Sequence, residues 1–211
     1  RKTSSFLATR KPVMIMHEGK DSTFITADTL FSAKRLMDST ERKIKLQGDS
    51  IFPKSKMSDS LQFFKAYNHV KIYNDSIQAV CDSMYFSSLD SSFRLYKNPF
   101  CWNGDTQLTG DTIKLFTKNK QPEQVDVINN AMLINRTKEG YFNQVTGKEM
   151  KGLFINGEID KVRDRGAPAE SIYYPQDKDS AYIGMNRSKG DEMVITFHNR
   201  NIIRKIGRAH V

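Results

Sequence analysis

The chain has 211 residues, of which 38% are hydrophobic and 27% charged, and its formal net charge at pH 7 is +9. This composition is typical of a folded protein and excludes a disordered chain, and no apolar stretch is long enough for a membrane-spanning helix. The basic balance favours anionic partners, but Lys and Arg are dispersed and no nucleic-acid-binding motif is present, so we expect no nucleic-acid partner.

Predicted strands near the N-terminus carry acidic-hydroxyl pairs. Residues 21–32 read DSTFITADTLFS, with Asp21-Ser22 and Asp28-Thr29 seven positions apart. Alternating apolar and polar residues, rich in β-branched and aromatic side chains, predict strands here and along most of the chain. The charged stretch that follows lacks this alternation, and we predict an irregular loop over residues 33–60.

A bend recurs in the next part of the chain. Three segments place an asparagine between two alternating apolar runs: LQFFKAYNHVKIY (61–73), FRLYKNPFCWN (93–103) and VDVINNAMLIN (125–135). Asn68, Asn98 and Asn130 are 30 and 32 residues apart, and asparagine tolerates the left-handed conformation that a bend requires. A longer variant at 159–174 has Gly166 at the corner. The pattern predicts a repeat of about 30 residues, too small to bury its own apolar face, so neighbouring repeats must stack.

Aspartate followed by serine or threonine recurs as well. Residues 74–87 read NDSIQAVCDSMYFS and residues 105–117 read DTQLTGDTIKLFT. One interpretation is a serine nucleophile beside a carboxylate, or a cation site. A catalytic residue is needed only once, however, whereas every repeat needs a turn, and Asp before Ser or Thr starts a turn by bonding its own backbone. We therefore predict that Asp28, Asp82 and Asp111 are equivalent structural corners.

Enzyme, metal and cofactor chemistry find no support in the sequence. Neither a GxSxG nor an HExxH motif is present, so we expect no catalytic residues. The histidines are scattered and no Cys/His cluster has metal-ligand spacing, so we expect no metal site and no cofactor. For Cys81 and Cys101, in neighbouring repeats, both a disulfide and two free buried thiols fit the sequence.

The two ends of the sequence suggest a piece of a longer protein. No signal peptide is visible at the start. The last six residues, IGRAHV (206–211), are interpreted as translated read-through of a sequencing adapter, and the alternative is a short natural tail. We therefore predict a single β-stack domain over residues 1–205, followed by a non-native tail.

Four segments, at 11–32, 79–113, 140–157 and 170–206, together resemble a known family. The central one contains FRLYKNP followed by GDTQLTGDTI, and the last contains ESIYYPQDKDSAYIGMNRSKGDEMVITF. Their order and number resemble the OstA and LptA family of periplasmic lipopolysaccharide-transport proteins, most closely the long OstA-like proteins of Bacteroidetes-type bacteria. Residues 33–60 match no part of this pattern.

The resemblance implies both a fold and a function. The fold would be an all-β, folded-over stack of antiparallel strands, a β-jelly roll or "taco", whose two sheets enclose an apolar groove. The function would be that of a non-enzymatic conduit in lipopolysaccharide transport to the outer membrane. Its partners would be lipopolysaccharide acyl chains in the groove and other proteins of the same fold at the sheet edges, and its location would be the periplasm.

Alternation also predicts which side chains line the groove. We expect the inward-facing set to be Phe64, Val70, Ile72, Phe93, Leu95, Phe100, Trp102, Val127, Met132, Ile134, Phe154 and Ile172. An inward apolar stripe is more often a filled core than a ligand groove, so the alternative function is a purely structural β-solenoid scaffold, and the resemblance is what favours the conduit. A continuous apolar cleft along the stack would favour the conduit over the scaffold.

Overall fold

The computed structural model describes residues 4–18, 21–41, 60–75, 77–118, 121–137, 139–177, 179, 181–198 and 201–208. Antiparallel strands make up nearly all of this part of the chain, with one helical turn at residues 39–41, so the predicted all-β class is confirmed. The strands are β1 (Ser4–Thr9), β2 (Val13–Glu18), β3 (Asp21–Thr26), β4 (Thr29–Leu36), β5 (Ser60–Tyr73), β6 (Gln78–Ser87), β7 (Ser92–Tyr96), β8 (Phe100–Asn103), β9 (Thr106–Thr109), β10 (Thr112–Lys118), β11 (Gln121–Arg136), β12 (Phe142–Ile155), β13 (Glu158–Tyr173), β14 (Asn186–His198) and β15 (Asn201–Arg208).

These strands form one hydrogen-bonded sheet with a branched path. The main path runs β1-β4-β5-β6-β7-β10-β11-β12-β13-β14-β15, while β2 pairs with β3, β3 with β5, β6 with β8, β8 with β9 and β9 with β11. The first layer consists of β1, β4, β7 and β10, together with those segments of β5, β6 and β11 that pair with them. The second layer is β2, β3, β8, β9 and the remaining segments of the same long strands. Strands β6, β7, β10, β11, β9 and β8 form a closed ring of pairings.

The chain passes between the two layers at bends that use two consecutive left-handed residues. The φ values are 60° and 52° at residues 68–69, 62° and 54° at residues 97–98, and 57° and 49° at residues 129–130. Because each bend uses two residues, an even number, the inward side chains are either all odd-numbered or all even-numbered on both sides of the bend. Buried Ala66 is followed by buried Val70, and buried Val127 by buried Ala131. All three bends contain the asparagine that marked them in the sequence.

A predicted corner aspartate contacts each of the first two bends. Asp28 Oδ2 lies 2.8 Å from His69 Nδ1, and the Asp28 backbone N–H donates to the Asn68 carbonyl oxygen over 3.0 Å. Asp82 Oδ2 lies 3.0 Å from Lys97 Nζ, and the hydrogen bond from this ammonium group lowers the pKa of the Asp82 carboxyl. Asp28 lies in the link between β3 and β4, and Asp82 lies on β6.

The third bend is contacted in the same way. Asn130 Nδ2 donates to Asp111 Oδ1 over 2.9 Å, and the Asp111 backbone N–H donates to the Asn129 carbonyl oxygen over 3.0 Å. Farther along the stack, Gly166 has φ of 113°, and a Cβ there would lie 2.4 Å from Lys148 Cβ. The structure therefore places Asp28, Asp82 and Asp111 in equivalent surroundings, each against a left-handed bend.

Two boundaries differ from those expected from the sequence. Strand β4 continues to Leu36 and pairs with β5 from Thr29 to Leu36, so the predicted loop does not begin at residue 33. Cross-strand pairing with β5 continues the strand although alternation fades there. Residues 42–59 of that loop lie outside the described residues. At the other end, β15 extends to Arg208 and pairs with β14, so it includes part of the predicted non-native tail.

Candidate functional site: an apolar cavity between the layers

Inward side chains of the first layer align strand by strand. The register places one buried residue each of β4, β5, β6, β7, β10, β11 and β12 beside the next. None of them is more than 4% exposed: Leu30, Ala66, Met84, Leu95, Ile113, Val127 and Met150. We call this row the first-layer file. A neighbouring row contains Phe86 and Phe93, whose ring centroids are 4.7 Å apart.

The second layer contributes a matching row, the second-layer file. Its members come from β3, β5, β6, β8, β9, β11 and β12: Ile25, Ile72, Ala79, Cys101, Leu108, Leu133 and Val145. Residues of both files belong to one hydrophobic cluster, so the two layers share a single core. Apolar burial across this core is the main favourable term that holds the layers together.

Within this core lies a cavity of about 210 Å³. Strands β2, β3 and β5 to β13 all contribute to its lining, so it extends across successive strands of the stack. Most of the lining is apolar, and it includes Ile25, Phe93, Leu95, Leu108 and Leu133. An interior of this kind can hold an apolar molecule without placing a buried polar group against it.

Most of the polar part of the lining comes from the ends of strands. Asn74 follows β5, Asn103 ends β8, Thr106 begins β9 and Glu158 begins β13. The lining therefore combines a mainly hydrocarbon surface with a few amide, hydroxyl and carboxylate groups. This combination is typical of a site for an amphipathic molecule with a long apolar part.

The two cysteines belong to the same apolar interior. Both are free thiols, and Cys101 lines the cavity. Burial raises the pKa of both the Cys81 and the Cys101 thiol to about 12. Since the thiolate is the reactive form, both side chains act here as small apolar groups rather than nucleophiles.

Most of the predicted groove residues face this interior. Phe64 and Val70 lie in the buried core, although they do not line the cavity. The cavity itself is lined by Ile72, Phe93, Leu95, Trp102, Val127 and Phe154. Trp102 borders the cavity but also stacks on Phe100, with ring centroids 6.0 Å apart, and its Nε1 donates to Gln107 Oε1 over 3.0 Å.

The inward orientation expected for Phe100, Met132, Ile134 and Ile172 requires correction. The expected set changes from odd-numbered to even-numbered positions across Asn98 and again across Asn130. Each of those bends has two left-handed residues, so the inward residues are half-buried Cys101 in β8 and buried Ala131 and Leu133 in β11. Parity does reverse in β13, where the register shifts between Arg165 and Ala169 and Ser171 is buried instead of Ile172. Phe100 is 37% exposed.

Several cavity residues were absent from the expected set. Ile25, Leu108, Ile113, Leu133 and Ile159 all line the cavity. If every second residue is counted as inward and the count continues unchanged through the bend at Asn130, Leu133 is identified as inward. Ile113 and Leu108 lie on either side of the Asp111 corner, which the Asp-Thr pair already marked in the sequence.

One buried carboxylate interrupts the first-layer file. Beyond Met150 the register continues to Asp164 in β13 and then to Met193 in β14. Asp164 is fully buried, and neither of its side-chain oxygens accepts a hydrogen bond within the part of the chain that the structure describes. Burial raises the pKa of the Asp164 carboxyl to about 7. Asp164 was absent from the expected inward set, and its sequence neighbours Arg163 and Arg165 give no signal of burial.

Two other kinds of feature are absent from the described residues. They contain no cluster of three or more His, Cys, Asp or Glu side chains suited to a metal ion. They also contain no helix with the length and apolarity that crossing a bilayer requires. In comparisons with known proteins, no family model matches this chain. No curated protein is significantly similar to it either.

Proposed function

We propose that this chain binds the acyl chains of a lipid, foremost lipopolysaccharide, in the cavity between its layers. It acts there as one non-enzymatic segment of a periplasmic lipid conduit. The observation that carries this proposal is the apolar lining drawn from β2, β3 and β5 to β13. A binding site that continues from strand to strand suits a long hydrocarbon chain, and burial of that chain supplies about 25 cal/mol per Å² of apolar surface.

The proposal includes the folded-over stack of the OstA and LptA family. Long strands pair with different neighbours on the two sides of each bend, which supports a sheet folded along the line of bends. The bends at Asn68, Asn98 and Asn130 recur at nearly the repeat length, each with its aspartate. This regularity supports a stack of similar units rather than an irregular barrel.

The proposed partners at the sheet edges are proteins of the same fold. In the described pairings, β1, β2 and β15 have a neighbour on one side only. The free backbone donors and acceptors of such strands are a template for a further strand. Head-to-tail pairing at these edges would extend the stack from one protein to the next.

The second candidate function is the structural scaffold with a filled interior. The observation that favours it is the tight burial of cavity-wall residues such as Ile25, Ile113 and Leu133, none of which is more than 1% exposed. A scaffold would keep these side chains packed against one another with no exchangeable ligand.

Photo-crosslinking tests the proposal with a matched pair of positions. Phe93 lines the cavity, whereas Phe63 lies on the outer face of the first layer, where its ring centroid is 5.9 Å from that of Phe31. A photoreactive phenylalanine analogue replaces either residue, and lipopolysaccharide is the probe. We expect lipid adducts from position 93 and none from position 63. Adducts of equal yield at both positions, or none at 93, would reject the conduit.

A second variant separates the conduit from the scaffold. Leu95 is buried in the first-layer file and lines the cavity. Leu95→Trp keeps the site apolar but fills it, and we expect the lipid adduct at position 93 to disappear while the melting temperature changes little. In a filled core the same change is overpacking and costs about 1–3 kcal/mol. Loss of stability without any lipid adduct in the parent protein would favour the scaffold.

A further inference from the structure

The outer face of the first layer carries two adjacent rows of polar and cationic side chains. Cross-strand pairing aligns one residue each from β4, β5, β6, β7 and β10 in a hydroxyl row: Thr29, Tyr67, Ser83, Tyr96 and Thr112. Two residues along the same strands lies the second row, the cation row: Phe31, Lys65, Tyr85, Arg94 and Lys114. The buried residues Leu30, Ala66, Met84, Leu95 and Ile113 lie between them in sequence, so both rows point outward.

Aromatic rings lie beside two of the three cations of this face. Lys65 Nζ lies 5.8 Å from the Phe63 ring centroid and 5.9 Å from that of Tyr85. The Arg94 guanidinium carbon lies 5.5 Å from the Tyr85 centroid, and Arg94 Nη2 also pairs with Asp90 Oδ2 at 2.6 Å. Within the part of the chain that the structure describes, Lys65 makes no ion pair. Its positive charge is therefore available to a ligand.

The two rows meet in a shallow concavity of about 490 Å³. Its lining includes the Lys65 and Arg94 side chains and the hydroxyl-bearing Tyr67, Ser83 and Tyr96. Strands of a sheet are about 4.8 Å apart, so the five-strand hydroxyl row is about 19 Å long. This surface offers a line of hydroxyl groups parallel to a line of charges.

We infer that this outer face is a binding site for an acidic oligosaccharide. The ligand lies across β4 to β10, its hydroxyls bond to the hydroxyl row, and its carboxylate or phosphate groups bond to Lys65, Arg94 and Lys114. Side-chain hydroxyls donate and accept, as sugar hydroxyls do, and charge-assisted hydrogen bonds anchor the acid groups. The site is separate from the cavity and does not depend on the proposed lipid passage.

The arrangement of the rings favours a saccharide over single-stranded nucleic acid. Nucleic-acid sites of this kind stack bases on open aromatic faces. On this face Lys65 approaches the Phe63 and Tyr85 rings and Arg94 approaches Tyr85, so these rings are already engaged. The rings of Phe63 and Tyr85 would therefore not be open for base stacking, and a nucleic acid would leave most of the hydroxyl row without a partner.

The test measures binding of pentagalacturonate by calorimetry, with neutral maltopentaose and a five-residue oligothymidylate as comparison ligands. We expect binding of pentagalacturonate, weaker binding of the oligothymidylate and none of maltopentaose. Lys65→Ala should weaken pentagalacturonate binding about tenfold or more, because it removes a charge-assisted bond. Lys71→Ala, on the same strand but in the second layer, is the matched control and should leave the affinity unchanged.

A second pair of variants tests the hydroxyl row without changing charge. Tyr67→Phe and Tyr96→Phe remove only a hydroxyl group, and each should weaken binding of pentagalacturonate about threefold to tenfold. Vesicles with an acidic glycolipid distinguish a lipid-linked from a free oligosaccharide, and binding in either form supports the site. The site is rejected if pentagalacturonate does not bind, if Lys71→Ala weakens binding as much as Lys65→Ala, or if oligothymidylate binds as tightly and both tyrosine variants have no effect.

Discussion

The interior of the stack differs between its two halves. From β3 to β11 the two inward files consist of apolar residues, with sulfur atoms only in Met84 and Cys101, and the cavity lies mainly there. From β13 onward the corresponding positions include Asp164 in the first-layer file and Ser171 beyond Val145 in the second-layer file. Both side chains are buried, with oxygens that lack a hydrogen-bond partner among the described residues.

The apolar half, from β3 to β11, therefore contains space for a ligand. In the polar half, from β13 onward, the protein itself fills the interior. In the apolar half, large side chains surround a void. In the polar half, a Cβ at Gly147 would lie 1.9 Å from Asp164 Oδ1, so the glycine is needed to admit the carboxyl group. The same sheet therefore combines an interior suited to hydrocarbon with one in which a buried carboxylate limits how far hydrocarbon can extend.

The largest expected effect concerns Asp164 and pH. Its pKa is about 7 in the folded protein against 3.8 for the ordinary side chain, because burial disfavours the charged form. The folded state thus binds more protons than the unfolded state between these values, and the free energy of unfolding falls as pH rises from about 4 to 7. At about 1.4 kcal/mol per pKa unit, the total loss is up to about 4 kcal/mol. Urea unfolding at several pH values measures it.

Asp164→Asn is the control for that measurement. Carboxyl groups with a lowered pKa, such as Glu170 beside Lys189 and Arg187, change stability in the opposite direction in both proteins. The difference between parent and variant therefore isolates Asp164. A difference that stays constant from pH 4 to 8 would show that the carboxyl titrates normally, and the contrast between the two halves would lose its main support.

The next largest effect is expected from Gly147→Ala. The added methyl group would overlap the Asp164 carboxyl group, and overpacking of this kind typically costs about 1–3 kcal/mol. Because the overlap is with a side chain, Asp164→Ala in the same protein should relieve it, and a double-mutant cycle measures the coupling. Equal costs of Gly147→Ala with and without Asp164 would show that tight packing in the polar half has another origin.

A smaller effect is expected at a bend of the apolar half. Asn130 has φ of 49° and bonds Asp111. Asn130→Ala loses that bond and places at positive φ a residue that tolerates the left-handed region less well than asparagine, which costs about 1–2 kcal/mol. Asn130→Gly keeps the conformation without strain and should be distinctly less destabilising in thermal unfolding. If the two variants are equally stable, the left-handed bend is not what requires asparagine.

The smallest effect is expected for the serine of an Asp-Ser pair. Ser83 lies on the outer face of the apolar half, so Ser83→Ala should change the free energy of unfolding by at most about 0.5 kcal/mol. Lipid crosslinking at position 93 should be unchanged as well. Complete loss of crosslinking in a folded Ser83→Ala protein would instead indicate chemistry at that pair.

The sequence predicted the features that local rules determine. Alternation predicted an all-β chain, and the recurrence of asparagine located bends at which Asn68, Asn98 and Asn130 adopt positive φ. Backbone preferences of single residues are sufficient for such features, because asparagine reaches the left-handed region more easily than most residues. The aspartate beside each bend was visible for the same reason.

The sequence could not supply features that depend on how strands align. Which of Leu133 and Ile134 faces inward depends on how many residues the preceding bend takes, and both residues are apolar. The burial of Asp164 depends on Gly147 in the neighbouring strand, which lies seventeen positions earlier in the chain. The cavity itself depends on the distance between layers, which no local pattern encodes.

The two-residue bends also limit how related sequences can change in length. One residue added or lost between Ala66 and Val70 would exchange the inner and outer sides of β5 beyond the bend. It would send Lys71 into the core and Ile72 into solvent. A pair of residues added at the same place would leave the sides as they are. Homologous chains should therefore differ at these bends by even numbers of residues, whereas the hairpin turns between strands are free to vary by one.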